Sequence, residues 1–294
     1  MTRKLPTVAD LRALKGQRQQ TMLKIFTLEE ASAAEAAGID IVSIPPELML
    51  NPSYRNAAPT LFSMTGRTHL EAGAPDDYLR WAGAAIQAGA DAIYCSGSLD
   101  TVGYLAREHI PVVGHVGLVP SRATWTGGFK AVGKTATEAI RLLEEVQAYQ
   151  VAGAFAVEIE VVPVEVATEI SKRVEILLWS MGAGAGCDAQ YLFANDLLGY
   201  TQGHVPRHSK AYRNFAAENA RLQRERIAAF AEFRADTASG AYPEQKHLVS
   251  MTKDEHSRFL AMVEGVTDAR PNTTLEKQHF ADSLSRPRSG RQHN

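Results

Sequence analysis

Two glutamates and a histidine follow apolar runs of this chain, where their side chains could carry out acid–base chemistry. Glu158 and Glu160 are two residues apart, so a strand would place both on one face. A carboxylate at a partly apolar strand end can have a raised pKa and transfer protons near neutral pH. Glu160 is therefore a candidate for proton transfer, and a strand-end salt bridge is the alternative. Glu158 could pair with a cation or raise the pKa of Glu160.

His115 and a glycine-rich stretch end two further apolar runs. His115 could bind an anionic group or orient Glu160, whereas a hydrogen-bonded core histidine is the alternative. Ser180 opens the stretch 180–190, which follows the apolar run 176–179 and has glycines at 182, 184 and 186. Glycine permits close approach of the backbone to a ligand. We therefore expect Ser180 and the loop 182–186 to offer a hydroxyl and N–H groups to a ligand, with a tight turn as the alternative.

Apolar strands and amphipathic helices alternate along the chain, as in repeated βα units. Three segments, 36–42, 87–93 and 151–157, each read as a helix end, a glycine and a short apolar strand. This recurrence favours an α/β fold of the (β/α)8 TIM-barrel class over a doubly wound open sheet. The strands are predicted at 21–26, 39–44, 60–63, 92–95, 111–115, 154–160 and 176–179, with an eighth weakly defined near 191–198.

In a barrel the site lies at the C-terminal ends of the strands. Besides Glu160 and His115, the positions predicted at that end are 45–47, 64–67, 94–96 and 180–188. The barrel is expected to occupy residues 1–250 as one domain, with an N-terminal and a C-terminal helix. Residues 251–294 are polar and are predicted to form an extension that is partly helical or disordered.

Composition excludes several classes of function. The chain has 294 residues, a net charge of −2, 45% hydrophobic residues and 22% charged residues. A near-neutral charge argues against nucleic-acid binding, and the apolar runs are too short for membrane spans. The N-terminal segment lacks the apolar core of a signal peptide. Two cysteines in a chain of this length indicate reduced thiols, so we expect a cytoplasmic location.

The chain resembles the ketopantoate hydroxymethyltransferase (3-methyl-2-oxobutanoate hydroxymethyltransferase) family over about residues 20–247. The similarity is densest and best ordered from residue 111 onward. The motifs that carry it are Gly-His-Val-Gly-Leu-Val-Pro at 114–120, Gly-Gly-Phe-Lys at 127–130, Glu-Ile-Glu-Val-Val-Pro at 158–163, Gly-Ala-Gly-Ala-Gly-Cys-Asp at 182–188, Asn-Asp-Leu-Leu-Gly at 195–199 and Gly-His-Val-Pro-Arg at 203–207.

The resemblance implies a TIM barrel of the phosphoenolpyruvate/pyruvate type that acts on a small α-keto acid. In that family a hydroxymethyl group moves from 5,10-methylenetetrahydrofolate onto the keto acid, which Mg²⁺ holds as its enol. Glu160 matches the general base that deprotonates the carbon next to the keto group, and His115 matches a substrate-site histidine. The resemblance also implies a homo-oligomer, since members of the family form decamers.

The chain departs from the family where the metal and its charged partners should lie. The Asp-Ser pair of a metal ligand becomes Pro46-Glu47, and a second ligand Asp becomes Gly66. The family's Lys and Glu after strand four become Tyr94 and Ser96, which we keep as candidate substrate-binding residues. Mg²⁺ prefers carboxylate oxygens, so bound Mg²⁺ is doubtful in this divergent member.

Two charged residues near these positions could compensate for the departures. Arg67 could clamp a substrate carboxylate in place of the metal. Glu47 could supply a displaced metal ligand. The alternative for each is a solvated loop charge.

Three functions are compatible with the sequence. The prediction is aldol-type hydroxymethyl transfer onto an α-keto acid. The alternatives are a C–C lyase or decarboxylase acting on another keto or hydroxy acid, and a non-catalytic barrel.

Overall fold

The computed structural model describes residues 4–67, 71 and 73–266, and its strands and helices alternate along most of that length. The strands are β1 Gln20–Lys24, β2 Ile41–Ile44, β3 Phe62–Arg67, β4 Ala92–Cys95, β5 Val112–Gly117, β6 Ala156–Glu160, β7 Leu177–Met181 and β8 Ala189–Phe193. The helices are α1 Val8–Ala13, α2 Leu28–Ala37, α3 Pro46–Met49, α4 Tyr54–Ala57, α5 Pro75–Gln87, α6 Leu99–Arg107, α7 Ala123–Thr126, α8 Ala136–Ala152, α9 Val164–Arg173, α10 Ala194–Leu198, α11 Phe215–Ser239 and α12 Lys253–Val266.

The eight strands form a closed barrel in chain order, and β1 pairs with β8. Every neighbouring pair is parallel. The predicted (β/α)8 barrel is therefore confirmed. Because all strands run in one direction, their C-terminal ends meet at one mouth, which is where a barrel carries its site.

Along each strand, every second side chain points into the barrel, and the side chains between them point outward to the surrounding helices. The inward set includes Met22, Met64 and Trp179, all buried in one cluster. Leu11 of α1 belongs to the same cluster, and Gln20 Nε2 donates to its carbonyl oxygen at 3.2 Å. The outward set packs against the helices in a second, larger cluster. Helix α1 therefore closes the N-terminal end of the barrel and leaves the mouth as the accessible end.

Helix boundaries follow from capping residues that are visible in the sequence. Thr27 and Thr135 precede α2 and α8, and each threonine hydroxyl accepts a hydrogen bond from the third residue of its helix. Gly38 and Gly153 end the same helices with φ of 73° and 96°. A left-handed C-terminal cap of this kind strongly favours glycine.

The glycine-rich loop after β7 does not open onto the mouth as expected. No helix separates β7 from β8, so residues 182–188 must return the chain to the N-terminal end of the barrel. A Cβ at Gly184 would lie 2.3 Å from Val164, and one at Gly186 would lie 2.0 Å from Thr168 Oγ1, both on α9. Asp188 ends the loop beside Lys15, with Nζ and Oδ2 2.7 Å apart. The glycines let the returning backbone pass close to a helix.

The chain divides into two compact units, Met1–Leu222 and Gln223–Asn294. This division precedes the predicted boundary at residue 250, which stays a prediction. No side chain of α11 or α12 is buried, although both carry large apolar residues. Helix α12 provides helical structure within the predicted extension, and residues 267–294 lie outside the described part. Within the described part, no helix is long and apolar enough to cross a membrane.

Candidate active site at the barrel mouth

A cavity of about 280 Å³ lies at the C-terminal ends of the strands. It contains polar and charged side chains above an apolar barrel interior. The lining residues are Lys24, Ser43, Gly66, Glu71, Tyr94, Ser96, His115, Pro120, Ser121, Glu158, Glu160, Met181, Tyr191 and Phe193. The structure therefore brings together Glu160, His115, Tyr94 and Ser96, four of the residues predicted from sequence.

The pairing of β5 with β6 places the acid–base groups side by side. His115 is opposite Glu158 and Gly117 is opposite Glu160 in the parallel register. Residues two apart on a strand share a face, so both glutamates point inward with the histidine between them. Glycine at 117 is required because a Cβ there would lie 2.4 Å from the carbonyl oxygen of Glu160.

His115 connects three of these side chains. Its Nε2 lies 3.1 Å from Glu160 Oε2, and its Nδ1 lies 2.8 Å from the Tyr94 hydroxyl. Glu158 Oε2 is 3.7 Å from the same Nδ1. When the tyrosine donates to Nδ1, the ring carries its proton on Nε2, which faces Glu160. The hydrogen bond to Tyr94 therefore holds the imidazole close to the candidate base, and Nε2 makes no hydrogen bond of standard geometry with the described residues.

Burial shifts the pKa of the groups around His115. The pKa of Glu158 is raised to about 7, mainly by desolvation; His115 and Lys24 oppose the shift, and Glu160 adds to it. Burial also raises the pKa of Tyr94 well above its usual range, while the neighbouring Ser96 hydroxyl acts in the opposite direction. Tyr94 is therefore neutral at physiological pH, with a hydroxyl that can donate a hydrogen bond. The carboxyl group of Glu158 changes its charge near physiological pH.

Sequence reasoning missed Lys24, which lies in the same cavity. It ends β1 on the inward face, two residues after the core residue Met22, and its Nζ is 3.2 Å from Ser43 Oγ. Burial lowers the pKa of Lys24, and the carboxylates of Glu158 and Glu47 oppose that shift. The sequence shows a lysine near the end of the first predicted strand, but whether that lysine faces inward depends on the register of β1.

Three predicted site residues lie elsewhere. Arg67 turns outward, with its guanidinium carbon 5.7 Å from the centre of the Trp81 ring. The Ser180 hydroxyl accepts a hydrogen bond from the Ala183 backbone N–H at 3.1 Å on the outer face of β7. Arg67 and Ser180 therefore face the helix layer. Each is next to a residue that faces the cavity, Gly66 for Arg67 and Met181 for Ser180, and successive strand residues point to opposite faces. Glu47 is exposed on α3 and does not line the cavity.

A strained residue follows the candidate base. Val161 has φ of 48°, a left-handed conformation that is rare for a β-branched residue. Its N–H donates to the Met181 carbonyl at 2.8 Å, and its carbonyl accepts from the Val132 N–H at 3.1 Å. Two backbone hydrogen bonds therefore hold the chain in the turn that ends β6 directly after Glu160.

Comparison with known proteins identifies the family. The model of the ketopantoate hydroxymethyltransferase family matches residues 69–245. The 3-methyl-2-oxobutanoate hydroxymethyltransferase of Halalkalibacterium halodurans is 30% identical over 85% of this chain and 96% of its own length. The chain belongs to the ketopantoate hydroxymethyltransferase family.

Other similarities agree with this membership. The enzyme of the same name from Deinococcus radiodurans is 34% identical over 86% of this chain and 95% of its own. The protein is thus an enzyme of the transferase class within this family. Among solved structures, oxaloacetate acetylhydrolase in complex with the inhibitor 3,3-difluorooxalacetate has a TM-score of 0.51, with 12% identity over 81% of this chain and 98% of that one. That likeness concerns the fold alone.

The family's metal does not fit the residues at this mouth. Pro46 and Gly66, which match its ligand positions, have no side-chain oxygen. A Cβ at Gly66 would lie 2.5 Å from Tyr94 Cβ and 2.7 Å from the Tyr94 carbonyl oxygen, so the backbone leaves no room for a ligand side chain. Across residues 4–67, 71 and 73–266, no three His, Cys, Asp or Glu side chains are grouped to hold a metal.

Proposed function

We propose that the protein transfers a hydroxymethyl group from 5,10-methylenetetrahydrofolate to the carbon next to the keto group of a small α-keto acid, with Glu160 as general base. The observation that carries this proposal is the inward Glu160 carboxylate at the barrel mouth, 3.1 Å from His115 Nε2. Family membership supplies the reaction class, and 3-methyl-2-oxobutanoate, named in the relatives, is the first substrate to test.

Glu160 is suited to take a proton from carbon. Its side chain is 13% exposed, so it is largely shielded from water but still reaches the cavity. A general base must lie within hydrogen-bond reach of the proton that it removes, and its orientation must be fixed. His115 Nε2 lies 3.1 Å from Glu160 Oε2, without a hydrogen bond of standard geometry to the described residues. A hydrogen bond donated by the Tyr94 hydroxyl to Nδ1 would leave the ring proton on Nε2, next to that carboxylate.

Tyr94 and Ser96 are proposed to contact the keto acid. Both side chains line the cavity at the end of β4, which only β5 separates from β6. The Ser96 hydroxyl is buried and makes no hydrogen bond of standard geometry with the described residues. A buried hydroxyl without a partner has an unmet desolvation cost, which an oxygen of the substrate would remove.

Two measurements test this proposal. In the first, the protein is incubated with 3-methyl-2-oxobutanoate and methylenetetrahydrofolate, and the hydroxymethylated product is quantified with and without a chelator. In the second, the keto acid alone is placed in D2O, and exchange of its C3 proton is followed by NMR. We expect product in the first and exchange in the second, both lost in Glu160→Gln.

The outcomes separate the parts of the proposal. Exchange without transfer would contradict the proposed reaction but leave Glu160 as the base. Product formation by a folded Glu160→Gln variant at the wild-type rate would refute the role of Glu160.

We further propose a cytoplasmic homo-oligomer. Both cysteines, Cys95 and Cys187, are free and buried, as in a protein of a reducing compartment. Large apolar side chains are exposed on the second unit, including Phe230 at 73% and Met262 at 71%. Exposed apolar surface of this kind is typical of an association face. Sedimentation velocity should show a species larger than the 32.0 kDa chain, and a monomer at all concentrations would contradict the proposal.

A further inference from the structure

We propose that Lys24 forms an imine with the keto carbon of the substrate and so supplies the electron sink for the carbanion that Glu160 generates. This inference rests on the proposed function, because it concerns how the same keto acid is activated. It assigns a covalent catalytic role to a residue of β1.

Position is the first reason to assign this role to Lys24. Lys24 points inward at the mouth and lines the same cavity as Glu160, His115 and Tyr94. It is the only lysine or arginine among the described residues that line this cavity. Its Nζ donates a hydrogen bond to Ser43 Oγ at 3.2 Å, a neutral partner that leaves the amine free to react.

The chemistry of the reaction is the second reason. Removal of a proton next to a keto group leaves negative charge that must move onto an electrophile. A metal could accept it, but Pro46 and Gly66, which the resemblance places at the family's ligand positions, have no side-chain oxygen to bind one. The nitrogen of a protonated imine accepts the electron pair as a neutral enamine, so an amine at this place meets the need without a metal.

The surroundings of Lys24 make its amine available as a nucleophile. Desolvation lowers its pKa, although Glu158 and Glu47 oppose the shift. A buried lysine with a lowered pKa has a larger neutral fraction, which is the form that attacks a carbonyl. Glu158, whose pKa burial raises to about 7, can hold the proton that the amine loses.

Each step balances. The Lys24 nitrogen attacks the keto carbon, and Glu158 gives the proton that it took from the amine to the hydroxyl of the carbinolamine, which leaves as water to give a protonated imine. Glu160 takes the proton from the adjacent carbon, and the electron pair of that C–H bond moves to give the enamine. Water releases the methylene unit of the folate as formaldehyde, whose carbon forms a new C–C bond with the enamine. Glu160 returns its proton to the resulting alkoxide, and a second water hydrolyses the imine and frees Lys24.

Reductive trapping tests the imine directly. The wild-type protein is incubated with 3-methyl-2-oxobutanoate and sodium cyanoborohydride, without folate, and its peptides are analysed by mass spectrometry. We expect the peptide that contains Lys24 to gain the mass of the keto acid less one oxygen atom. Lys24→Arg should lose the adduct, whereas Lys172→Arg, on the exposed face of α9, should keep it.

The results distinguish this inference from the proposed function. Turnover by the wild-type protein with no adduct at Lys24 overturns the imine and leaves hydroxymethyl transfer standing. An adduct at Lys24 without transfer supports the imine and contradicts the proposed reaction. A folded Lys24→Arg variant that still exchanges the C3 proton at the wild-type rate also overturns the imine, because arginine keeps the charge but cannot form it.

Discussion

The two sides of the barrel mouth present different kinds of chemistry. On the side of β5 and β6, His115, Glu158 and Glu160 form a compact set that agrees with the family pattern. On the side of β1 to β4, the cavity is lined by Lys24, Ser43, Gly66, Tyr94 and Ser96, and its one lining carboxylate among the described residues, Glu71, follows β3 in the chain. Proton transfer at carbon and stabilisation of the resulting charge are separate tasks. In the proposed mechanism the first task falls to the β5–β6 side, called here the retained side because it carries the motifs of the family resemblance. The second task falls to the β1–β4 side, called here the rebuilt side.

The hydrogen bond between Tyr94 and His115 joins the two sides. A tyrosine at the end of β4 supplies no positive charge, but when its hydroxyl donates to Nδ1 the imidazole proton lies on Nε2. The rebuilt side therefore still controls the orientation of the retained side. Single substitutions can alter one side at a time.

The largest effect is expected on the retained side. Glu160→Gln keeps the size of the side chain but removes the base, so we expect turnover to fall by about 10²- to 10⁴-fold with an unchanged melting temperature. Glu144→Gln, on the exposed face of α8, is the matched control and should keep full activity. Equal rates for the two variants would show that the retained side does not carry proton transfer.

Glu158 is expected to make stability depend on pH. Its pKa is about 7 in the folded state against an ordinary value of 4.5 for a glutamate, so the folded protein holds a proton that the unfolded chain releases. The stabilising contribution is complete below pH 4.5 and is lost as the pH rises through about 7. Glu158→Gln should remove this loss and gain up to ~3 kcal/mol relative to wild type at alkaline pH.

Urea unfolding at about pH 5 and about pH 8 measures this difference. The gain should be larger at the higher pH. Glu144→Gln should show no such change between the two conditions. A constant difference between wild type and Glu158→Gln would contradict the raised pKa.

On the rebuilt side, Gly66→Ala should destabilise the fold. Its Cβ would lie 2.5 Å from Tyr94 Cβ and 2.7 Å from the Tyr94 carbonyl oxygen, so β3 and β4 must separate. Overpacking of this kind costs about 1–3 kcal/mol. Gly83→Ala in α5 meets nothing within 4 Å and should instead gain up to about 1 kcal/mol. Thermal unfolding of both variants checks the opposite signs, and equal shifts would argue against the close strand approach.

The smallest effect is expected where the two sides meet. Tyr94→Phe keeps the ring and loses the 2.8 Å hydrogen bond to His115 Nδ1. A hydrogen bond contributes about 0.5–1.5 kcal/mol, so kcat should fall about two- to tenfold. The pH profile should change as well, because either imidazole nitrogen could then carry the proton. Tyr104→Phe removes a hydroxyl that binds Asp76 at the surface and should leave both properties unchanged.

The sequence predicted the barrel because its signals are local. Apolar runs and the glycines at helix ends marked most strands within a few residues, and β4 agrees with its prediction at both ends. Strand ends also located His115, Tyr94, Ser96 and Glu160. What the sequence could not show was the face of each residue near a strand end.

Arg67 and Ser180 were expected to face the substrate, yet each alternates with an inward neighbour and contacts the helix layer. Lys24 is the opposite case: it was not expected at the site, yet its side chain faces the cavity. Its inward position depends on the register of β1. The loop 182–186 was expected to contact a ligand, but Gly184 and Gly186 let its backbone pack closely on α9. Glycine spacing alone does not distinguish close packing on a helix from contact with a ligand.

The close contact between β3 and β4 at Gly66 also limits which substitutions position 66 can accept. Because part of the obstruction is the backbone oxygen of Tyr94, replacing the tyrosine would not make room for a side chain at position 66. A substitution to aspartate at that position would be selected against for folding before it could contribute to binding a metal. A side chain at position 66 therefore requires a shift of two strands as well as a substitution, and engineering a divalent ion site here should begin with that shift.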